Sequence, residues 1–163
     1  MLQIGTHAPE FTLPTQDGNE VSLTTLLNRG PLLLYFYPAD FSPPCVRHAE
    51  AIARITPELE ASGLVVAGVS PQSPATHERF RRTHHLPQTL LADENKDVIR
   101  MYEASGPLGL LVRRASYLID QGRIIRGTLL ADFRIAAHTR FMLEARAHLD
   151  AIAAQLRQRN AAA

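Results

Sequence analysis

The one cysteine of the chain, Cys45, closes the segment Pro38-Ala-Asp-Phe-Ser-Pro-Pro-Cys45, three residues after Ser42 and seven after Pro38. A thiol reacts as its thiolate, and an ordinary cysteine, with a pKa of about 8.5, is mostly protonated at neutral pH. The surroundings of Cys45 therefore decide whether it does chemistry. Pro43 and Pro44 suit the first helical positions, where a missing N–H costs nothing, so Cys45 falls in the first turn of a helix. The unpaired amides and the macrodipole there favour an anion, and a lowered thiol pKa is expected. Ser42 then occupies the N-cap position. Because Pro44 has no N–H, the Ser42 hydroxyl is expected to reach the Cys45 amide, or else to hold a substrate oxygen or the thiolate itself. Pro38 terminates the preceding strand and is also placed to shield the sulfur from water.

Composition narrows what such a thiol can serve. A chain of 163 residues, 45% hydrophobic, suits one domain over residues 1–163. Seventeen Lys and Arg against sixteen Asp and Glu leave a formal charge of +1. The basic residues are scattered, so neither nucleic acid nor an anionic membrane is an expected partner, and a small or neutral substrate fits better. A lone cysteine cannot form an internal disulfide, and Met1-Leu-Gln-Ile-Gly-Thr-His7 lacks the pattern of a signal peptide, so a cytoplasmic location is expected. The apolar runs Pro31–Tyr37 and Gly63–Val69 fall well short of the roughly 20 residues of a membrane span. His7, His77, His84, His85, His138 and His148 follow no metal-ligand spacing, and Gly106-Pro-Leu-Gly109 lacks the lysine of a phosphate loop. No metal or cofactor is expected, and that loop reads as an ordinary connection.

The elements that must position Cys45 can be read in order. Asp17-Gly18 joins two short alternating runs into an N-terminal β-hairpin, and Ser22 is a plausible cap for a short helix ending near Gly30. Leu32–Tyr37 is a continuous apolar run, as a central strand covered on both faces requires. From Cys45, the residues Ala49, Ile52, Ile55 and Leu59 recur at helical spacing, with Pro57 expected to kink the helix. Leu64–Val69 predicts a second buried strand, and Ser73-Pro74 opens a polar helix running to about His84. This β-α-β-α order implies parallel pairing. Pro87–Ala92 reads as a short strand, Asp97–Tyr102 as a brief helix, and the segments flanking Gln121-Gly122 as a second hairpin. Ile135 opens a last helix whose stripe Met142, Ala145, Leu149, Ile152 and Leu156 should face the core, with Asn160–Ala163 frayed.

The spacing Pro38-x-x-x-Ser42-x-x-Cys45 after an apolar strand resembles the peroxiredoxin signature Pro-x-x-x-Thr/Ser-x-x-Cys. Gly5–Pro14, Val69-Ser-Pro-Gln-Ser73 and Arg114-Ala-Ser-Tyr-Leu-Ile-Asp120 extend the resemblance over roughly residues 3–150. Tyr35–Cys45 looks most like the bacterioferritin comigratory, or peroxiredoxin Q, branch. The resemblance implies an α/β thioredoxin-like fold, with a central mixed β-sheet flanked by helices. It also implies a thiol-dependent peroxidase in which Cys45 attacks hydrogen peroxide or an alkyl hydroperoxide. Ser42, the Cys45 amide and Arg114 would steady the leaving oxygen. Arg113 is adjacent to Arg114, but alternation sends the two to opposite faces, so only one can serve; Arg114 matches the family's arginine.

Two positions depart from that pattern. Glu50 stands where many members of the branch carry a resolving cysteine, so the sulfenic acid at Cys45 must meet an external thiol or a second copy of the chain. Thioredoxin, glutaredoxin and low-molecular-weight thiols are the candidate reductants, and a monomer or small homodimer is implied. His48 replaces a Glu or Gln, and reads as a partly exposed structural histidine that could otherwise perturb the thiol or contact the reductant. Two alternatives stay open: a monothiol disulfide or glutathione-linked oxidoreductase, since Ser42-Pro-Pro-Cys45 has Cys-x-x-Cys spacing, and a non-catalytic binding module with an inert core thiol.

Overall fold

Leu32, Leu34 and Phe36 of strand β3 (Leu32–Phe36) pack into one hydrophobic cluster, while Leu33 and Tyr35 pack into another. Successive strand side chains leave on opposite faces, so the unbroken apolar run is the mark of a strand with cover on both sides. The computed structural model, which describes residues 1–163, places β3 at the centre of a five-stranded sheet of order β5-β4-β3-β6-β7. Strands β4 (Val65–Ser70) and β5 (Thr89–Ala92) continue it in parallel. Strands β6 (Ala115–Ile119) and β7 (Ile125–Leu130) form the second hairpin and run antiparallel, so the sheet is mixed.

One face is covered by the N-terminal hairpin, β1 (Thr12–Pro14) and β2 (Glu20–Ser22), with helices α1 (Leu23–Arg29) and α4 (Asp97–Met101). The other face carries α2 (Pro43–Ala61), α3 (Pro74–His84) and α5 (Ile135–Ala161), and Cys45, Ile52, Phe80 and Met142 meet Tyr35 and Leu118 there. The helix starts lie at the capping residues. Ser22 accepts from the Thr25 amide at 3.0 Å and Ser73 from the Thr76 amide at 3.2 Å, each satisfying one orphan donor of its first turn. Helix α2 continues through Pro57 as one element. No helix is long and apolar enough to cross a membrane.

The last helix departs from expectation. Met142 and Ala145 are buried, but Leu149 and Ile152 are half-buried and Leu156 is 46% exposed. Its 27 residues extend to Ala161, past the expected fraying point. At about 1.5 Å per residue such a helix is roughly 40 Å long, about twice the span of the strands beneath it. The stripe therefore outruns the core it was spaced to meet.

Strand β4 contributes a glycine for a packing reason. Gly68 lies opposite Tyr35 in the β3–β4 ladder, and a Cβ there would sit 2.5 Å from the Tyr35 Cζ. Gly68→Ala is expected to lower stability by about 1–3 kcal/mol through overpacking, read as a lower urea midpoint. Because the Tyr35 ring lies edge-on to His48 at 5.4 Å, the same substitution should also disturb the environment of Cys45.

Candidate active site

Helix α2 begins at Pro43, so Cys45 is its third residue, and the thiol is 1% exposed. No acceptor in the protein reaches the Cys45 N–H, since the first intrahelical bond is Val46 N–H to the Ser42 carbonyl at 2.9 Å. The amide and the sulfur thus lie together at the positive end of a 19-residue helix. Ser42 is the N-cap residue by backbone position, but its hydroxyl makes no capping bond and does not reach the Cys45 amide. Its nearest partner is the Ala39 carbonyl, at 3.5 Å. With prolines at the first two helical positions, the amide nearest to a capping serine is missing, and the hydroxyl keeps only this long bond to the Ala39 carbonyl.

Arg114 arrives from the segment that leads into β6, 69 residues away, and its Nη2 donates to Cys45 Sγ at 3.0 Å. Arg113 turns the other way. Its guanidinium grips Asp132 with Nε at 3.0 Å and Nη2 at 2.6 Å, while the other Asp132 oxygen accepts from the Arg114 backbone N–H at 2.9 Å. Partial burial pushes the Asp132 carboxyl up, but the bonds from Arg113 and Arg114 outweigh it and hold the pKa below the usual value. The two arginines therefore divide the work: one braces the loop and the other places a cation on the sulfur.

His48 is not partly exposed: it is 1% exposed and lies one turn from Cys45 on the same inner face of α2. Its Nδ1 is 3.2 Å from Arg114 Nη1. A guanidinium only donates, so Nδ1 must carry a lone pair and the ring proton must sit on Nε2. That Nε2 is buried without a partner. The His138 ring packs against His48 at 4.8 Å. His138 Nε2 donates to the Ala131 carbonyl at 2.9 Å, so its Nδ1 accepts from the Ser116 hydroxyl at 2.8 Å. Burial, then the neighbouring His138 and Arg114, push the His48 pKa down to about 3; burial likewise lowers that of His138. Arg114 thus faces a thiol and a neutral imidazole, and no carboxylate pairs with its guanidinium.

Beside the turn that carries the buried thiol opens a cavity of about 560 Å³, lined by Pro38, Pro44, Pro107, Leu111, Arg114 and Phe133 but not by Cys45 itself. The Gly106–Gly109 loop, expected to be an ordinary connection, folds into a short 3₁₀ turn at this mouth. Leu108 is 92% and Phe133 97% exposed, so the approach is apolar. Sequence reasoning missed His138, Ser116, Asp132 and this rim; for His48, its three-residue spacing from Cys45 was an available sign of burial. No group of three or more His, Cys, Asp or Glu gathers anywhere in the fold.

The AhpC/TSA family matches residues 4–128. Peroxiredoxin Q of Gentiana triflora, chloroplastic by name, is 36% identical over 123 residues, which are 75% of this chain and 56% of that protein. The chain thus spans little more than half the length of such plant relatives. A Helicobacter pylori protein bearing the peroxiredoxin bcp name is 37% identical over 129 residues, 79% of this chain and 80% of that one. Among solved structures, peroxidoxin BcpB from Mycobacterium tuberculosis superposes with a TM-score of 0.83 at 28% identity, over 93% of this chain and 99% of that one. The fold, the placed thiol and the sequence match converge: the chain belongs to the AhpC/TSA family.

Proposed function

We propose that residues 1–163 act as one domain, a thiol-dependent peroxidase that reduces hydrogen peroxide or an alkyl hydroperoxide at Cys45. The observation that carries this reading is the Arg114 guanidinium 3.0 Å from a buried sulfur at a helix N-terminus. A permanent cation and the free Cys45 amide there are placed to meet negative charge that develops at the site. The thiolate attacks one peroxide oxygen; an S–O bond forms as the O–O bond breaks, and the departing oxygen takes up a proton as water or an alcohol. Cys45 becomes a sulfenic acid. Arg114, the Cys45 N–H and the Ser42 hydroxyl, which is held only by a 3.5 Å bond to the Ala39 carbonyl, are the donors for the charge growing on the departing oxygen. Pro38, at the wall of the mouth, limits water at the sulfur. The apolar rim of Leu111 and Phe133 suits the carbon arm of an alkyl hydroperoxide.

Regeneration needs two equivalents of an external thiol. The first condenses with the sulfenic acid to give a mixed disulfide and water; the second displaces Cys45 and leaves as the oxidised disulfide. Glu50, in place of a second thiol, pairs with His84 at 3.2 Å. A reducing compartment such as the cytoplasm, a thioredoxin, glutaredoxin or small-thiol donor, and a monomer or small homodimer complete the reading.

Mass spectrometry of the protein after one equivalent of hydrogen peroxide, with and without a small thiol, tests it. Sulfenic acid at Cys45, converted to a mixed disulfide when thiol is present, is the expected result. An unmodified Cys45 that instead reacts rapidly with a disulfide would replace the peroxidase reading with monothiol exchange.

A further inference from the structure

Strand β7 loses its alternation at one place. Leu118 pairs with Gly127 and the next residue of β6, Ile119, pairs with Ile125, so Arg126 is the extra residue of a β-bulge. In a regular strand Arg126 and Thr128 would point away from the face on which Gly127 lies. Here all three line one cavity of about 230 Å³ between β7 and α5. Helix α5 supplies Phe141, Glu144, Ala145 and His148, whose spacings of three and four put them on one helix face. Gly127 lets the Phe141 ring come close, since a Cβ there would stand 3.1 Å from Phe141 Cε2. None of these residues takes part in the peroxide step.

The floor of the cavity is apolar, with Leu118 and Ala145 buried beside the Phe141 ring. On its wall stand two opposite charges that do not pair with each other. Arg126 Nε donates to Asp120 Oδ2 at 2.5 Å, and the other Asp120 oxygen accepts from the Ile124 N–H at 2.9 Å. The guanidinium is thereby anchored, while Nη1 and Nη2, the edge that grips a carboxylate end-on, have no partner in the protein. Glu144 has no cation either, for the ion pair of this helix joins Arg146 to Asp150. One turn from Glu144, His148 Nε2 donates to the Arg126 carbonyl at 2.9 Å, so Nδ1 of the neutral ring offers a lone pair.

We propose that this cavity binds a small zwitterion with an apolar arm, the chemistry of a free branched or aromatic α-amino acid. The carboxylate meets Arg126 Nη1 and Nη2, the ammonium meets Glu144, and the arm lies on Leu118, Phe141 and Ala145. Ile4, 63% exposed at the rim, adds an apolar contact. A plain carboxylate would leave Glu144 unmatched, and a plain amine would leave Arg126 unmatched. The volume lies below the roughly 300–1,000 Å³ of sites for drug-sized ligands, as a ligand of this size requires. The site is independent of the chemistry at Cys45.

L-leucine and its two halves test the charges separately: 4-methylpentanoate is leucine without the ammonium, and 3-methylbutylamine is leucine without the carboxylate. In NMR titrations of the full chain, L-leucine should give saturable amide shifts confined to residues 126–128 and 141–148, with a Kd of about 1 mM or below. Each half should bind roughly tenfold more weakly, as the loss of one charge-assisted contact implies. Glu144→Gln should weaken L-leucine about tenfold and remove the shifts caused by 3-methylbutylamine, yet leave those of 4-methylpentanoate in place. Arg126→Gln should do the reverse, removing the shifts of 4-methylpentanoate and sparing those of 3-methylbutylamine. A merely structural role for either side chain would weaken all three probes together. Should Arg126→Gln not fold, the contrast between the two halves in Glu144→Gln decides alone. Absence of saturable shifts with L-leucine, shifts centred elsewhere, equal affinity for L-leucine and one of its halves, or parallel losses of all three probes would overturn the proposal.

Discussion

Arg114→Ala is expected to slow peroxide oxidation of Cys45 by about 10²–10³-fold, the usual cost of removing one prepositioned donor to a developing oxyanion. The side chain does two things at once: Nη2 meets the sulfur at 3.0 Å and Nη1 rests on His48 at 3.2 Å. On the proposed mechanism, removing it takes away a donor to the departing oxygen and the only cation beside the sulfur. Arg113→Ala, by contrast, should cost a few-fold at most. Asp132 would lose its ion pair but still accept from the Arg114 backbone. Arg114→Lys should recover little, because a single ammonium cannot reach both the sulfur and the imidazole in a fixed fork. Single-turnover stopped-flow oxidation with hydrogen peroxide ranks the three variants; equal losses at positions 113 and 114 would undo the division of labour between them.

The second large effect concerns stability in acid. His48 has its pKa pushed down to about 3 by burial, His138 and Arg114, while an unfolded chain presents an ordinary histidine near 6.5. Between those values the unfolded chain binds a proton that the folded one refuses. Stability therefore falls as pH drops below about 6.5, by up to roughly 1.4 kcal/mol per pH unit for this one group, and levels only near pH 3. His138, lowered by its own burial, adds in the same direction. A loss of a few kcal/mol is a large share of the typical 5–15 kcal/mol of a folded domain. Urea midpoints at pH 7, 5 and 4 should decline steeply in the parent and more gently in His48→Gln, which offers Arg114 an acceptor that does not titrate. Parallel pH profiles for the two proteins would show that the acid response arises elsewhere.

Where one residue decides local geometry, the sequence was legible. Ser42-Pro43 and Ser73-Pro74 mark the helix starts because a proline loses no hydrogen bond in the first turn, and Asp17-Gly18 marks a hairpin because glycine accepts the φ of 80° found there. Alternation in extended chain allowed only one of Arg113 and Arg114 to serve, the family resemblance chose Arg114, and the structure directs the two apart. What could not be read was the company that distant residues keep. His48 reads as a partly exposed structural histidine until Arg114 and His138 arrive from other elements to surround it. The Ser42 cap failed because Pro43 and Pro44 leave no amide at the first two helical positions and the hydroxyl turns to the Ala39 carbonyl instead. Leu156 matched a core stripe whose core ends before the helix does.

Glu50, paired with His84 where a second thiol would otherwise stand, has a kinetic consequence. On the proposed mechanism, an oxidised Cys45 would have no second thiol of its own chain at fixed distance, so its lifetime would be set by the concentration of thiol around it. At steady state the oxidised fraction then follows the ratio of peroxide flux to thiol supply. A tenfold fall in available thiol at constant peroxide would lengthen the sulfenic-acid lifetime about tenfold, as bimolecular capture requires. The molecule would act as a gauge of redox balance as much as a scavenger.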